Sequence, residues 1–385
     1  MLDLILRGGR VIDPGQGLDG TLDVGFRDGK VAAVAPHLAE EARRTVDAAG
    51  LIVTPGMIDM HCHVYWGASA MSLDARRMAP LSGVTTMVDA GTAGPGNFLG
   101  FRHFVIEPSP VRILPFINIS YPGIFAYSKA VMVGECGDMR LLDPRECVRV
   151  IDENRDLVVG IKVRVGKIAG GDSGAAPLDL AVEAAEETGL PVMTHLDDPP
   201  PSRREVFARL RPGDILTHCF KPFPNAPVRR DGDIFEEVLL ARERGVLFDI
   251  GHGGFSFGFR VARAMIEKGF LPDIISSDVH ALNVDGPVFD LMTTLSKFYC
   301  LGLGLPDIVR MVTTAPAVAL RRPDLGSLKP GSVGEATLLS IDEGDFAYHD
   351  ARSEVLRGGH RFRCRGLVTA GQFDRVDERP DHARS

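Results

Sequence analysis

Apolar and polar positions alternate in short segments through residues 1–54: "DLILRGGRVID", "TLDVGFRDGKVAAVAP" and "TVDAAGLIVTP". A period of two marks strands, and "RDGK" between two such runs reads as a tight hairpin turn. From Pro55 onward the pattern changes. Eight short β-branched runs follow: "GMIDMHCH", "VTTMVDAG", "VRILPFINIS", "LVVGIKVRV", "LPVMTHL", "DILTHCF", "VLFDIGHG" and "DIISSDVH". Between them, segments such as 143–156, 177–189, 233–245 and 258–269 carry apolar residues three and four apart, often with a glycine at the end. That is helical periodicity with a helix stop. Strand and helix alternating eight times predict an α/β protein built on a closed parallel (β/α)8 TIM barrel rather than an open doubly wound sheet. No GxGxxG follows the first strand, which removes the usual nucleotide-site reading. After "LPDIVRMVTTAPAVAL" short strands return. The predicted organisation is a barrel over residues 55–324 and a small β-rich domain split between 1–54 and 325–385. The closing "GQFDRVDERPDHARS" is polar enough to read as a disordered tail.

Composition narrows the partners. The 43 basic residues against 51 acidic ones give a net charge of −8, so no broad basic field draws the chain to nucleic acid or anionic lipid. No apolar run reaches the roughly 20 residues a membrane helix needs, and "MLDLILRGGRVIDPG" lacks a signal-peptide pattern. Cysteines 62, 136, 147, 219, 300 and 364 are scattered without CxxC spacing, which suits a reducing compartment. The expectation is a cytoplasmic protein acting on a small molecule, with a homo-oligomer compatible.

Chemistry gathers where strands end, the rim at which such barrels place their sites. His61 and His63 end the first run, Lys162 lies in the fourth, His195 ends the fifth, His218 the sixth and Asp278 the eighth. Two histidines one residue apart on a strand share a face. A lone buried histidine is usually a satisfied core residue, but four histidines and an aspartate at one rim form a metal-ligand set. Histidine and carboxylate suit Zn2+, with Mn2+ or Fe2+ as alternatives, and no thiolate cluster suggests a structural zinc. An ammonium cannot bind a cation, so Lys162 either pairs with a rim carboxylate or, deprotonated by burial, adds CO2 to become a carbamate. A carboxylated Lys162 can bridge two metals.

Taken together, "IDMHCH", the lysine in "GIKVR", "THL", "THCF" and "SSDVH" resemble the amidohydrolase superfamily of metal-dependent hydrolases over essentially the full chain. The resemblance implies that His61, His63 and Asp278 hold one ion, His195 and His218 a second, with Lys162 bridging. It also implies a metal-activated hydroxide as nucleophile and Asp278 as the group that moves its proton to the leaving group. Dihydroorotases resemble this sequence at the HxH but carry an arginine two residues later; here that position is Tyr65. "GIKVR", "THCF" and "DIGHGG" are similar instead to a deacetylase subgroup, often labelled dihydroorotase-like, that acts on small acetylated amino or hydroxy acids through their amide or ester bond. Cyclic amide hydrolysis of the dihydroorotase or hydantoinase type is the alternative, and a barrel that has kept its fold without catalysis is a third class. A substrate carboxylate calls for a cation, and Arg164 shares a strand face with Lys162. Tyr121, His252 and Asn283 complete the substrate-binding candidates, with Asn118 and His280 near them. Trp66 reads as a pocket wall or core, and Cys219 should point to the opposite strand face from His218.

Overall fold

Every residue of Met57–Cys62 and of Gly160–Val165 is buried, which a strand tolerates only when both faces of its sheet are covered. In the computed structural model, which describes residues 1–376, these runs are the first and fourth strands of a parallel sheet. The others are Val84–Ala90, Arg112–Asn118, Val192–Leu196, Ile215–Leu216 and Leu247–Phe248, paired in chain order. The eighth run, residues 274–279, makes no regular strand. It closes the barrel through single bridges, Asp249 to Ile274 on one side and Cys62 to Val279 on the other. Backbone N–H groups of His252 and Gly253 donate to Ser276 and Ser277, and that of Asp278 donates to His61.

Ile58, Met60, Val88, Ala90, Leu114, Phe116, Met193 and Ile215 fill the barrel interior, beneath which Ala317, Ala319 and Leu320 form a plug. Helices Pro144–Glu153, Ala176–Thr188, Glu236–Glu243 and Phe259–Glu267 occupy the segments with helical periodicity. The long apolar run from 305 divides into Leu305–Val312 and Thr314–Ala319, with Thr313 at φ −129° and ψ −83° between them.

Both chain ends meet in a second sheet. Leu2–Asp13 pairs with Leu18–Arg27, Ala42–Asp47 and Ile52–Pro55, while Ala336–His349 runs antiparallel to Ile52–Pro55 with Leu338 opposite Val53. The hairpin at Asp28 and Gly29 has φ of 51° and 70°, the left-handed pair that a two-residue turn between twisted strands requires. One expectation fails: Gln372–Arg375 is a strand on the edge of this sheet, paired with Gly366–Thr369 of its neighbour, Val355–Thr369. The ladder's hydrogen bonds outweigh the local polarity there. Residues 377–385 of that segment lie outside the described residues.

Candidate metal centre

On the first barrel strand Ile58 and Met60 face the interior core. Simple alternation would then turn His61 and His63 outward, toward the helices. An irregularity in pairing with the second strand, between Asp59 and Cys62, intervenes; a bulge of this kind re-aims the side chains that follow it. Both imidazoles thus enter the lumen, and Cys62 joins the outer core. Lys162 and Arg164 share the inward face of the fourth strand, and His195 ends the fifth. The result is one cavity lined by His61, His63, Lys162, Arg164, His195, His218 and Asp278, together with Met71, Tyr127 and His280.

Within it, Asp278 Oδ1 stands 3.4 Å from His61 Nε2 and 3.3 Å from His63 Nε2. The rings of His195 and His218 meet edge to face at 4.6 Å. One ligand atom from each of His61, His218 and Asp278 fits within a 4.8 Å span, a group able to hold a metal ion. His218 and Asp278 have left-handed backbones, φ 61° and 48°, a cost of order 1–3 kcal/mol each that cluster at functional sites.

Behind the rings lies a second layer. His61 Nδ1 donates to Thr217 Oγ1 at 2.9 Å, and Thr217 donates to the buried Asp249 at 2.7 Å. His63 repeats the pattern through Thr92, at 2.8 Å, to Asp89, at 2.8 Å. His218 Nδ1 donates to the Gly251 carbonyl at 2.6 Å. These bonds fix the tautomers, leaving each Nε2 lone pair free for the cavity. Burial pushes His61, His195 and His218 well below the ordinary histidine value and His63 to about 3. Neutral imidazole is the ligand form. Burial raises Asp278 to about 6, opposed by His280, Lys162 and Arg164.

The residues fit a cation on one further observation. His195 Nε2 is buried with no hydrogen-bond partner, the Asp197 carboxylate standing off at 3.7 Å. Among the described residues no hydrogen bond engages this ring, an omission worth about 1–3 kcal/mol that leaves the imidazole available as a ligand. Lys162 is fully buried, its Nζ 3.4 Å from His61 Nε2. Desolvation lowers its amine to about 7, against the pull of Asp278.

The structure separates the substrate-side candidates. Arg164 lines the cavity; Tyr121, His252 and Asn283 do not. Tyr121 is 46% exposed, with its ring against Gly96. His252 is buried, its Nε2 accepting from Lys297 at 2.8 Å. Asn283 braces the eighth loop, donating to the Asp278 carbonyl and accepting from the His280 N–H. Their places at or after strand ends, and for His252 the flanking glycines, are what suggested a ligand-facing role; none of the three lines this cavity. Asn118 likewise spends its amide on Gly91 and Ser120, and Trp66 is 56% exposed rather than core. Tyr127, Met71 and the Thr217–Asp249 and Thr92–Asp89 pairs went unread; the aspartates end strands seven and two, where a search for carboxylates behind ligands would have found them.

A parallel barrel whose rim gathers imidazoles, a carboxylate and a buried amine defines the metal-dependent barrel hydrolases. Comparison with known proteins agrees. The model of the amidohydrolase family matches residues 44–103. Deacetylase Atu3266 of Agrobacterium fabrum is 35% identical over 346 residues, 90% of this chain and 84% of that protein. A deacetylase of Enterococcus faecalis is 32% identical across 96% of this chain and 98% of its own. Among solved structures, an adenine deaminase superposes with TM-score 0.91 at 30% identity, covering 97% of this chain and 100% of that one. A dihydroorotase does so with TM-score 0.89 at 33% identity, covering 98% of each. The chain belongs to the amidohydrolase family and is a hydrolase.

Proposed function

We propose that this hydrolase is a deacetylase of small acetylated amino or hydroxy acids, cleaving their amide or ester bond. Arg164 carries the reading. Its guanidinium is buried beside the ligand set, and its one hydrogen bond among the described residues is a long 3.4 Å contact to Glu135. Five N–H donors so poorly used suit a carboxylate on the substrate, with the Tyr127 ring, 5.1 Å from the guanidinium carbon, as a wall.

His61, His63 and Asp278 would hold one divalent ion, His195 and His218 another, with a carboxylated Lys162 between them; zinc suits this donor set best. The bound ions would supply Lewis-acid polarisation of the acetyl carbonyl and an acidified water. Asp278, raised by burial, would take a proton from the attacking water and pass it to the leaving amine or alkoxide. Arg164 would orient the acid and keep its scissile bond over the ligand set. The six free thiols suit a cytoplasmic setting.

Ring opening of cyclic ureides is the second reading, favoured by the solved dihydroorotase at 33% identity. Against it, Tyr65 donates to the Asn97 carbonyl and stacks on Phe101 at 4.5 Å, so that position offers a substrate nothing. Assaying zinc-loaded enzyme on N-acetyl amino acids, O-acetyl hydroxy acids and cyclic ureides decides between them. Turnover of acetylated acids is expected, with KM rising roughly 30-fold or more in Arg164→Met. Turnover confined to the ring compounds would refute the deacetylase reading.

A further inference from the structure

Lys297 lies outside the cavity yet is fully buried. It sits in helix Leu291–Cys300, and its Nζ reaches three acceptors: His252 Nε2 at 2.8 Å, the Pro287 carbonyl at 2.7 Å and the His349 carbonyl at 2.9 Å. His252 Nδ1 faces the Gly253 carbonyl at 2.9 Å and must donate there, so Nε2 can only accept. Three acceptors around one nitrogen match the three N–H bonds of an ammonium. A hydrophobic side chain would fill the same space at lower desolvation cost, so what the ammonium adds here is the fixed position of its three partners.

That geometry leads to the metal centre. His252 lies between two left-handed glycines, Gly251 at φ 43° and Gly253 at φ 56°. The Gly251 carbonyl receives the His218 Nδ1 proton. A Cβ on Gly251 would fall 2.3 Å from Thr217 Oγ1 and 3.0 Å from His61 Nδ1, and one on Gly253 would fall 2.4 Å from Asp278 Oδ2. This backbone is therefore pressed against three members of the ligand set. The only side chain between the glycines is anchored from behind, by Lys297 and by stacking on Phe257 at 4.5 Å. Through Pro287 the same ammonium ties down the loop after the eighth run, and through His349 it ties both loops to the sheet formed by the chain ends.

We propose that Lys297 is a positioning residue of the metal centre: through His252 it holds the Gly251–Gly253 backbone against His218, His61 and Asp278. A double-mutant cycle tests this, with zinc affinity measured by chelator competition on the purified chain, and kcat and KM measured alongside. Lys297→Met and His252→Gln are each expected to weaken zinc binding about 10- to 100-fold and to lower kcat more than they raise KM. The double variant should be within about threefold of the weaker single one, because both cut the same link. Metal affinity is read without substrate, so failure of the deacetylase reading leaves this test intact. If Lys297→Met does not fold, His252→Gln alone decides. Wild-type zinc affinity in a folded single variant, or additive losses in the double, would overturn the proposal.

Discussion

Lys162 Nζ and His61 Nε2 face each other at 3.4 Å in the centre of a buried site, with the His61 Nδ1 proton already committed to Thr217. The imidazole offers a lone pair and the amine has no carboxylate within ion-pairing reach among the described residues. An amine in that position is primed for conversion to an anion. In the proposed carboxylation the neutral form would attack the carbon of CO2, forming an N–C bond as one C=O π bond opens to a carboxylate and one amine proton is lost to solvent.

Because burial lowers Lys162 to about 7, the reactive neutral amine grows as pH rises through that value. At fixed dissolved CO2, reconstitution of metal-free protein with zinc should therefore quicken from about pH 6 to pH 8 and level off above. Lys162→Ala should show no CO2 dependence. A flat profile in the parent chain would show that the amine is not the group being modified.

Removal of metal should abolish hydrolysis and lower thermal stability, since a ligand held by the folded state alone at 100 times its Kd contributes about 2.7 kcal/mol. Dialysis against chelator, elemental analysis and a melting curve measure both effects. Undiminished turnover with less than about half an equivalent of metal would remove the ions from the reaction.

Asp278→Asn should lower kcat by roughly 10²- to 10⁴-fold, the range for a positioned acid–base group, with the fold retained. Circular dichroism and steady-state kinetics suffice. Full activity in this variant would strip Asp278 of its proton-transfer role.

Thr217→Val keeps the shape of the side chain and breaks the relay from His61 to Asp249. Zinc should bind about 10- to 100-fold more weakly, although Thr217 itself could not touch the ion. Chelator competition measures it, and unchanged affinity would mean that the hydroxyl is a bystander.

The strands could be read because β-branched runs, nearly all buried, ended in residues with no place in a core. His61, His63, His195, His218 and Asp278 announced themselves by that contradiction. The second layer did not, since threonine and aspartate at strand ends are common, and only the fold shows that Thr217 faces an imidazole rather than a neighbouring strand. His252 misled for the opposite reason: flanking glycines indicate close approach without saying what approaches, and here it is the protein's own Asp278. Lys297 gave no signal, lying in a helix where a lysine is ordinarily solvated. Pairing strength was equally hidden. Runs six and seven hold only two paired residues each, and the eighth none in a regular ladder, because loop geometry at the rim overrides local β preference.

That last run sets an order of failure. Its backbone meets the first and seventh strands through isolated bridges and buried hydrogen bonds rather than a regular ladder, and it delivers the acid on which turnover would depend. Modest heating that frees this seam would silence the enzyme while seven staves still stand, so inactivation should run ahead of any spectroscopic sign of melting. Cooling should restore activity for as long as the remaining staves hold their places.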